Sequence, residues 1–450
     1  MSLTILHPIW GRDIGQYYGS YTFLAFKQEL HSNIISATQR ANFVPMNKGM
    51  HAIRIICQIG KEENEIKINS MARDVSLQIL RDALDMSWYK LLLKFLAEPE
   101  IIRGCIKLMG TVIPDGESSA SPFSYEYGYL CFRIATISFG LCLVENSLDS
   151  AFKAAVLDLR SGRLHPLEVV AEVIADSVKR IVQSSPTIKN GHKMDERALM
   201  VPTRDVTKLM NLIWDNRDLF IRVVSHTYTP GMVGLMYIFW QLWRISRCRE
   251  SSDGDQRLGA PLYELLRRYN LGVTSDQDVA LSSLLSDTRF LRDTWLGHSE
   301  LTDAKDSKAL MHGYIHRIST SDTWHYKPHI FSIAPILEFV IRFAQPGAQN
   351  VFPLLFSATT RFLWSEIEGK QQIAENDIPG IISILHCFLK LFEILPDAAH
   401  CAMQNLIHDI VNSDLVGLIA RLIVLRRPTT DKSDNERGMN SLIRKKPPGS

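Results

Sequence analysis

Ile381–Leu395 reads IISILHCFLKLFEIL, and this stretch decides the fold. Ile381, Ile384, Leu385, Phe388, Phe392 and Leu395 recur at three- and four-residue spacing, which is the period of an α-helix. The polar residues Ser383, His386, Lys390 and Glu393 form one narrow stripe. A helix with so little polar surface is expected to be buried on most sides, as in the interior layer of a stack. Pro379 stands near its start, where a missing N–H costs little, and Pro396 follows its end. Asp397 then puts a negative charge at the start of the next helix. Asn412-Ser413-Asp414 offers a cap for a last helix reaching about Leu425.

Working outward, the same grammar repeats. Ser70 can cap a helix to about Leu84, and Trp88–Leu96 reads as a second helix. Glu98-Pro99-Glu100 starts a third, over Ile101–Val112. Pro166-Leu167-Glu168 opens another that ends near Ser184. Pro335, Pro346 and Pro353 punctuate Ile330–Trp364. Roughly eighteen helical segments are expected in all. The Tyr125, Tyr127, Tyr129 alternation is the best strand candidate, but Tyr125 and Tyr129 are also one helical turn apart. Polar, Gly- and Pro-marked loops are expected at 114–122, 184–205, 246–261 and 297–306.

These signals divide the chain into an N-terminal segment (1–19), a helical region (20–183), a polar loop or hinge (184–205), a second helical region (206–426) and a basic tail (427–450). From Arg426 onward seven Lys and Arg face three Asp and Glu, a net +4, and the tail reads as disordered. The whole chain of 450 residues carries only +2, so the remainder is about −2 and sets up no strong field for nucleic acid. Nucleic acid is therefore not an expected partner, although Arg444-Lys445-Lys446-Pro447 has the composition of a nuclear-import signal.

The chain begins without a basic segment followed by an apolar core, so it does not read as secretory. Its seven cysteines are widely spaced, odd in number and free of CxxC, which fits reduced thiols in a cytoplasmic or nuclear protein. None of sixteen Asn lies in an Asn-x-Ser/Thr sequon. Two apolar stretches approach membrane length. Tyr129–Val144 contains Arg133, and Met232–Trp243 stops at Arg244, so neither is expected to span.

Segments such as Trp88–Val112, WYKLLLKFLAEPEIIRGCIKLMGTV, resemble an armadillo or HEAT repeat. An apolar helix ends, a Pro-marked turn follows and a second apolar helix packs back. Ile381–Leu425 looks similar. The resemblance could cover residues 20–426 as eight to ten pairs of roughly 40 residues. It implies an all-α fold, a right-handed superhelical α-solenoid, with an irregular all-α domain as the alternative. It also implies an intracellular, non-enzymatic scaffold or adaptor that binds protein partners, and it carries no catalytic residues.

The chemical motifs agree with that expectation. There is no GxxxxGK[ST], no GxGxxG after a strand, no GxSxG and no HExxH, and no cofactor is expected. Asp253-Gly254-Asp255 with Glu264 imitates calcium-loop spacing, but Leu258 stands where the loop needs glycine. The densest constellation is histidine. His312 with His316, and His325 with His329, each have the i,i+4 spacing of a zinc pair on a helix. Pro328 interrupts the second pair. The bland reading is surface histidine beside Tyr314, Trp324 and Tyr326. An all-α enzyme or metal-binding protein built on these four histidines is the runner-up function. Two LxxLL strings, Leu262–Leu266 and Leu281–Leu285, could dock in a partner's groove if exposed. They read first as core, as does the run Tyr237, Phe239, Trp240 and Trp243.

Overall fold

The computed structural model describes residues 6–26, 28, 43–89, 92–114, 116–146, 166–185, 199–249, 253–289, 291–296, 303–319, 328–368, 373–374, 377–394, 400–412 and 414–425. Among these, nineteen α-helices are bounded and no sheet forms. The two bridges, His7–Gly11 and Asp13–Tyr125, are isolated. The helices are α1 Ile14–Tyr17, α2 Phe43–Lys61, α3 Glu65–Ala72, α4 Leu77–Asp85, α5 Pro99–Met109, α6 Glu126–Asn146, α7 Pro166–Ser184, α8 Thr203–Asp215, α9 Arg217–His226 and α10 Met232–Arg249. They continue with α11 Asp253–Asn270, α12 Asp278–Asp287, α13 Leu291–Leu296, α14 Ala304–Ser319, α15 Ile330–Arg342, α16 Phe352–Ile367, α17 Asp377–Ile394, α18 His400–Asn412 and α19 Leu415–Leu425.

The all-α class expected from periodicity is what folds. Some boundaries differ, for local reasons. The helix expected from Ser70 to Leu84 is two helices. Asn64 caps α3 by accepting from the Ile66 and Lys67 amides, and Ser76 caps α4 by accepting from the Ile79 amide. Ser70 lies inside α3. The helix expected over Trp88–Leu96 is replaced by two 3-10 turns, Met86–Trp88 and Leu93–Leu96, where the chain must reverse before Pro99. The loop expected at 246–261 is mostly helix. Arg249 ends α10, Asp253 opens α11, and Pro261 is accommodated inside α11. Burial of Leu262, Tyr263, Leu265 and Leu266 offsets the hydrogen bond that proline removes. Of the tyrosine alternation, Tyr127 and Tyr129 lie in α6, which starts at Glu126, while Tyr125 forms the isolated bridge to Asp13.

Backbone contacts divide the chain into two compact units. The first contains residues 1–327 and 339–348, the second residues 328–338 and 349–450. In the first unit, α6 and α10 form the interior. α6 packs against α4, α5, α7 and α10, and α10 also packs against α7, α8, α11 and α12. Helices on both sides of residues 184–205 thus share one core, since α7 packs on α10 and α12. α6 is long and apolar enough to cross a membrane, yet its apolar window is wholly buried in protein. Neighbouring helices approach closely where side chains vanish. A Cβ on Gly60 of α2 would collide with the Glu100 carbonyl, and one on Gly104 of α5 with the Ile56 carbonyl. Lys107 then threads beside this contact and donates to the Gly60 carbonyl at 2.8 Å, closing the C-terminus of α2.

The second unit is built on α16, which packs against α18 and α19. Phe388 of α17 meets Phe356 of α16 at a centroid distance of 4.4 Å. Ile381, Ile384 and Phe388 are buried, as the periodicity predicts, whereas Leu385 and Phe392 are half-buried. The tail at 427–450 lies outside the described residues.

Candidate interaction surface and histidine cluster

Three charged clusters in the first unit are closed on themselves. Glu126, at the N-terminus of α6, has 1% of its side chain exposed. Arg12 grips it with Nε at 2.8 Å and Nη2 at 2.9 Å, Arg81 donates at 2.8 Å and the Tyr21 hydroxyl at 2.6 Å. Burial pushes the Glu126 carboxyl up, but the bonds from Arg12, Tyr21 and Arg81 outweigh it and hold the group at about 2. Backbone bonds run with these: the Glu126 amide donates to the Arg12 carbonyl and the Tyr127 amide to the Trp10 carbonyl. The N-terminal segment therefore serves as the cap of the longest interior helix.

The second cluster surrounds Arg268, which is fully buried. Its guanidinium binds both Asp306 oxygens at 2.6 Å and reaches Glu264 at 2.6 Å. Trp295 donates to the other Glu264 oxygen at 3.2 Å. Burial pulls the Arg268 pKa down, and the two carboxylates more than reverse it. Glu264, the candidate calcium ligand, is thus committed to an arginine, and Asp253, Gly254 and Asp255 open helix α11 rather than a loop. The third cluster joins Arg103 to Asp205 at 2.9 Å, with Glu63 bridging Arg103 and Arg204. A shallow groove of about 600 Å³ runs beside it along α8, past Thr203, Arg204, Thr207, Lys208, Asn211 and Asp215.

The histidines are arranged differently from a metal pair. His312 and His316 do share a face of α14. The His316 ring, however, stacks on His226 of α9 with centroids 4.8 Å apart and planes 23° apart. His226 lies 5.0 Å from the Tyr18 ring and its Nδ1 is 2.9 Å from the Arg222 carbonyl. Burial, followed by the nearby Arg222, His226 and Lys308, pushes the His312 pKa down. His329 is exposed, stacks on Phe331 and belongs to the second unit. His325 lies outside the described residues. Among the described residues no three His, Cys, Asp or Glu side chains are placed to hold a metal ion. The periodicity of one helix could not announce His226, which arrives from another.

Most of the thiols and the apolar motifs are core, with Cys57 and Cys248 half-buried. Cys105, Cys131, Cys142 and Cys387 are buried, and burial pushes Cys57 and Cys387 up to about 11. Leu262, Leu265, Leu266, Leu281 and Leu284 are buried and Leu285 is half-buried, so the LxxLL strings face largely inward. Trp240 and Trp243 are fully buried, and Trp240 donates to Asp287 at 2.8 Å.

Among the described residues large apolar side chains are exposed in both units, singly in the first, as at Leu24 and Ile66, and on three successive helices in the second. On α17, Ile382 and Leu389 are each 60% exposed. With exposed His386 and Glu393 they make one face at spacings of four, three and four residues. The polar stripe read from the sequence is therefore only part of an outer face that includes two large aliphatics. On α18, Ile407 and Val411 are exposed, and on α19 so are Val416, Ile419, Ile423 and Val424. No known protein family, curated protein or solved structure matches the chain.

Proposed function

We propose that this chain is a non-enzymatic scaffold or adaptor, a stack of helix pairs of the armadillo or HEAT kind, that binds a protein partner on the outer face of α17. The observation carrying this reading is the exposure of Ile382 and Leu389 beside His386 and Glu393. Scattered apolar residues need no explanation, but two large aliphatics in register on one helix, rimmed by charge, have the composition of an interface. The internally satisfied clusters support the same view. Glu126, Arg268 and Arg103 are each spent on holding helices together. The packing of α5 on α6, α6 on α7 and α10 on α11 supports the stacked arrangement, while α6 on α10, α7 on α12 and α9 on α14 pack beyond chain neighbours.

The test is an affinity capture with cross-linking, comparing the wild-type chain with Ile382→Asp/Leu389→Asp. The expected outcome is a partner that cross-links at α17 and is lost in the variant, while the circular dichroism spectrum is unchanged. A variant that folds and retains every partner overturns the assignment of this face.

A further inference from the structure

The outer face of α19 has a different chemistry from that of α17. Inward, Leu418, Leu422 and Leu425 are buried in the unit. Opposite them Val416, Ile419, Ile423 and Val424 are exposed, at spacings of three, four and one residues, with exposed Ala420 between. This second stripe is entirely aliphatic. Arg421, on its flank, is the only charged side chain in the helix. The chain then continues directly into Arg426 and Arg427 and a segment of net +4.

We propose that this face docks the protein on an anionic lipid surface. The stripe would enter the headgroup–acyl boundary and the basic residues that follow would meet the headgroups. Charge complementarity selects this occupant. Two copies paired through α19 would bring two +4 segments together, which repels. A protein interface carries a polar rim of the kind that His386 and Glu393 supply on α17, whereas within α19 this stripe is bordered by Arg421 alone. A fluid acyl boundary needs no matching shape. An apolar face plus a basic cluster is also the pair of signals that stable peripheral binding requires. The helix has eleven residues, about 16 Å of rise, so it lies on the bilayer and does not cross it. This inference uses residues apart from Ile382 and Leu389, so it can fail while the α17 reading stands.

The experiment is vesicle co-sedimentation of the full chain. Wild type should pellet with phosphatidylcholine vesicles containing phosphatidylserine, stay in solution with phosphatidylcholine alone, and be released by salt. Val416→Asp/Ile423→Asp and Arg426→Glu/Arg427→Glu should each weaken binding by about tenfold or more. Val416→Ser/Ile423→Ser serves if the aspartates disturb folding, read by circular dichroism. Three results overturn the proposal. Wild type could ignore both vesicles. The aliphatic variants could bind as well as wild type, leaving charge alone. Sedimentation velocity could show a dimer that the aliphatic variants abolish, making a second copy the occupant.

Discussion

Glu126 shows how one carboxylate can decide a local structure. Its pKa falls from an ordinary 4.5 to about 2 because three donors converge on it. A depressed carboxylate stabilises the fold above its unfolded pKa and loses that contribution as pH falls through the folded one. The window is therefore about pH 4.5 down to 2. With Arg12 and Arg81 partly open to water, the effect at neutral pH should be about 2–3 kcal/mol. Glu126→Gln should lower neutral-pH stability by that order and flatten the acid limb, measured by urea unfolding across pH. His312 works in the same direction at higher pH. Its lowered pKa means stability is full above pH 6.5 and declines as pH falls below it. His312→Gln should shrink the stability lost between pH 7 and pH 5 in the same titration. At Arg268 the stake is larger. Arg268→Met would leave the buried Glu264 and Asp306 only Arg217, at 3.5 and 3.7 Å, as a counter-ion, at a cost of up to about 3–5 kcal/mol.

At the scale of a helix, α17 carries its own control. Phe388 is 3% exposed and packs on Phe356, whereas Ile382 is 60% exposed. Phe388→Ala should cost about 3–5 kcal/mol, the range for truncating a buried aromatic. Ile382→Ser should change stability by less than about 0.5 kcal/mol, as surface changes do. Thermal unfolding of the two variants checks both. Equal losses would mean that the outer face is covered within the chain. The interior helices obey the converse rule. α6 is apolar on all sides because neighbours surround it, and its single early acid, Glu126, is the residue its cap requires.

For the molecule, two compact units imply two cores. The first has α6 and α10 enclosed by other helices. The second leaves aliphatic side chains of α17, α18 and α19 in water. The second should therefore be the less stable. Calorimetry should show two transitions, with Phe388→Ala lowering only the lower one and Arg268→Met only the upper. A single transition that both variants shift together would show that the units unfold as one.

The sequence by itself determined what is local. Three- and four-residue periodicity dictates helix wherever it is sustained, so the all-α class and the bounds of Pro166–Ser184 were legible. So was the buried ridge of Ile384 and Phe388, since a helix repeats its faces without reference to the rest of the chain. A local signal also misled: Ser70 invites a cap but lies inside α3, and the cap of the next helix is Ser76, which accepts from the Ile79 amide. The tertiary structure alone decided which groups meet. Arg12 and Arg81 reach Glu126, Asp306 reaches Arg268, and His226 stacks on His316, from elements separated in sequence. It also decided which apolar stripe stays outside. Ile382 and Ile384 are chemically alike and two residues apart, but at about 100° per residue they point some 200° apart, and only the side bearing Ile384 is buried.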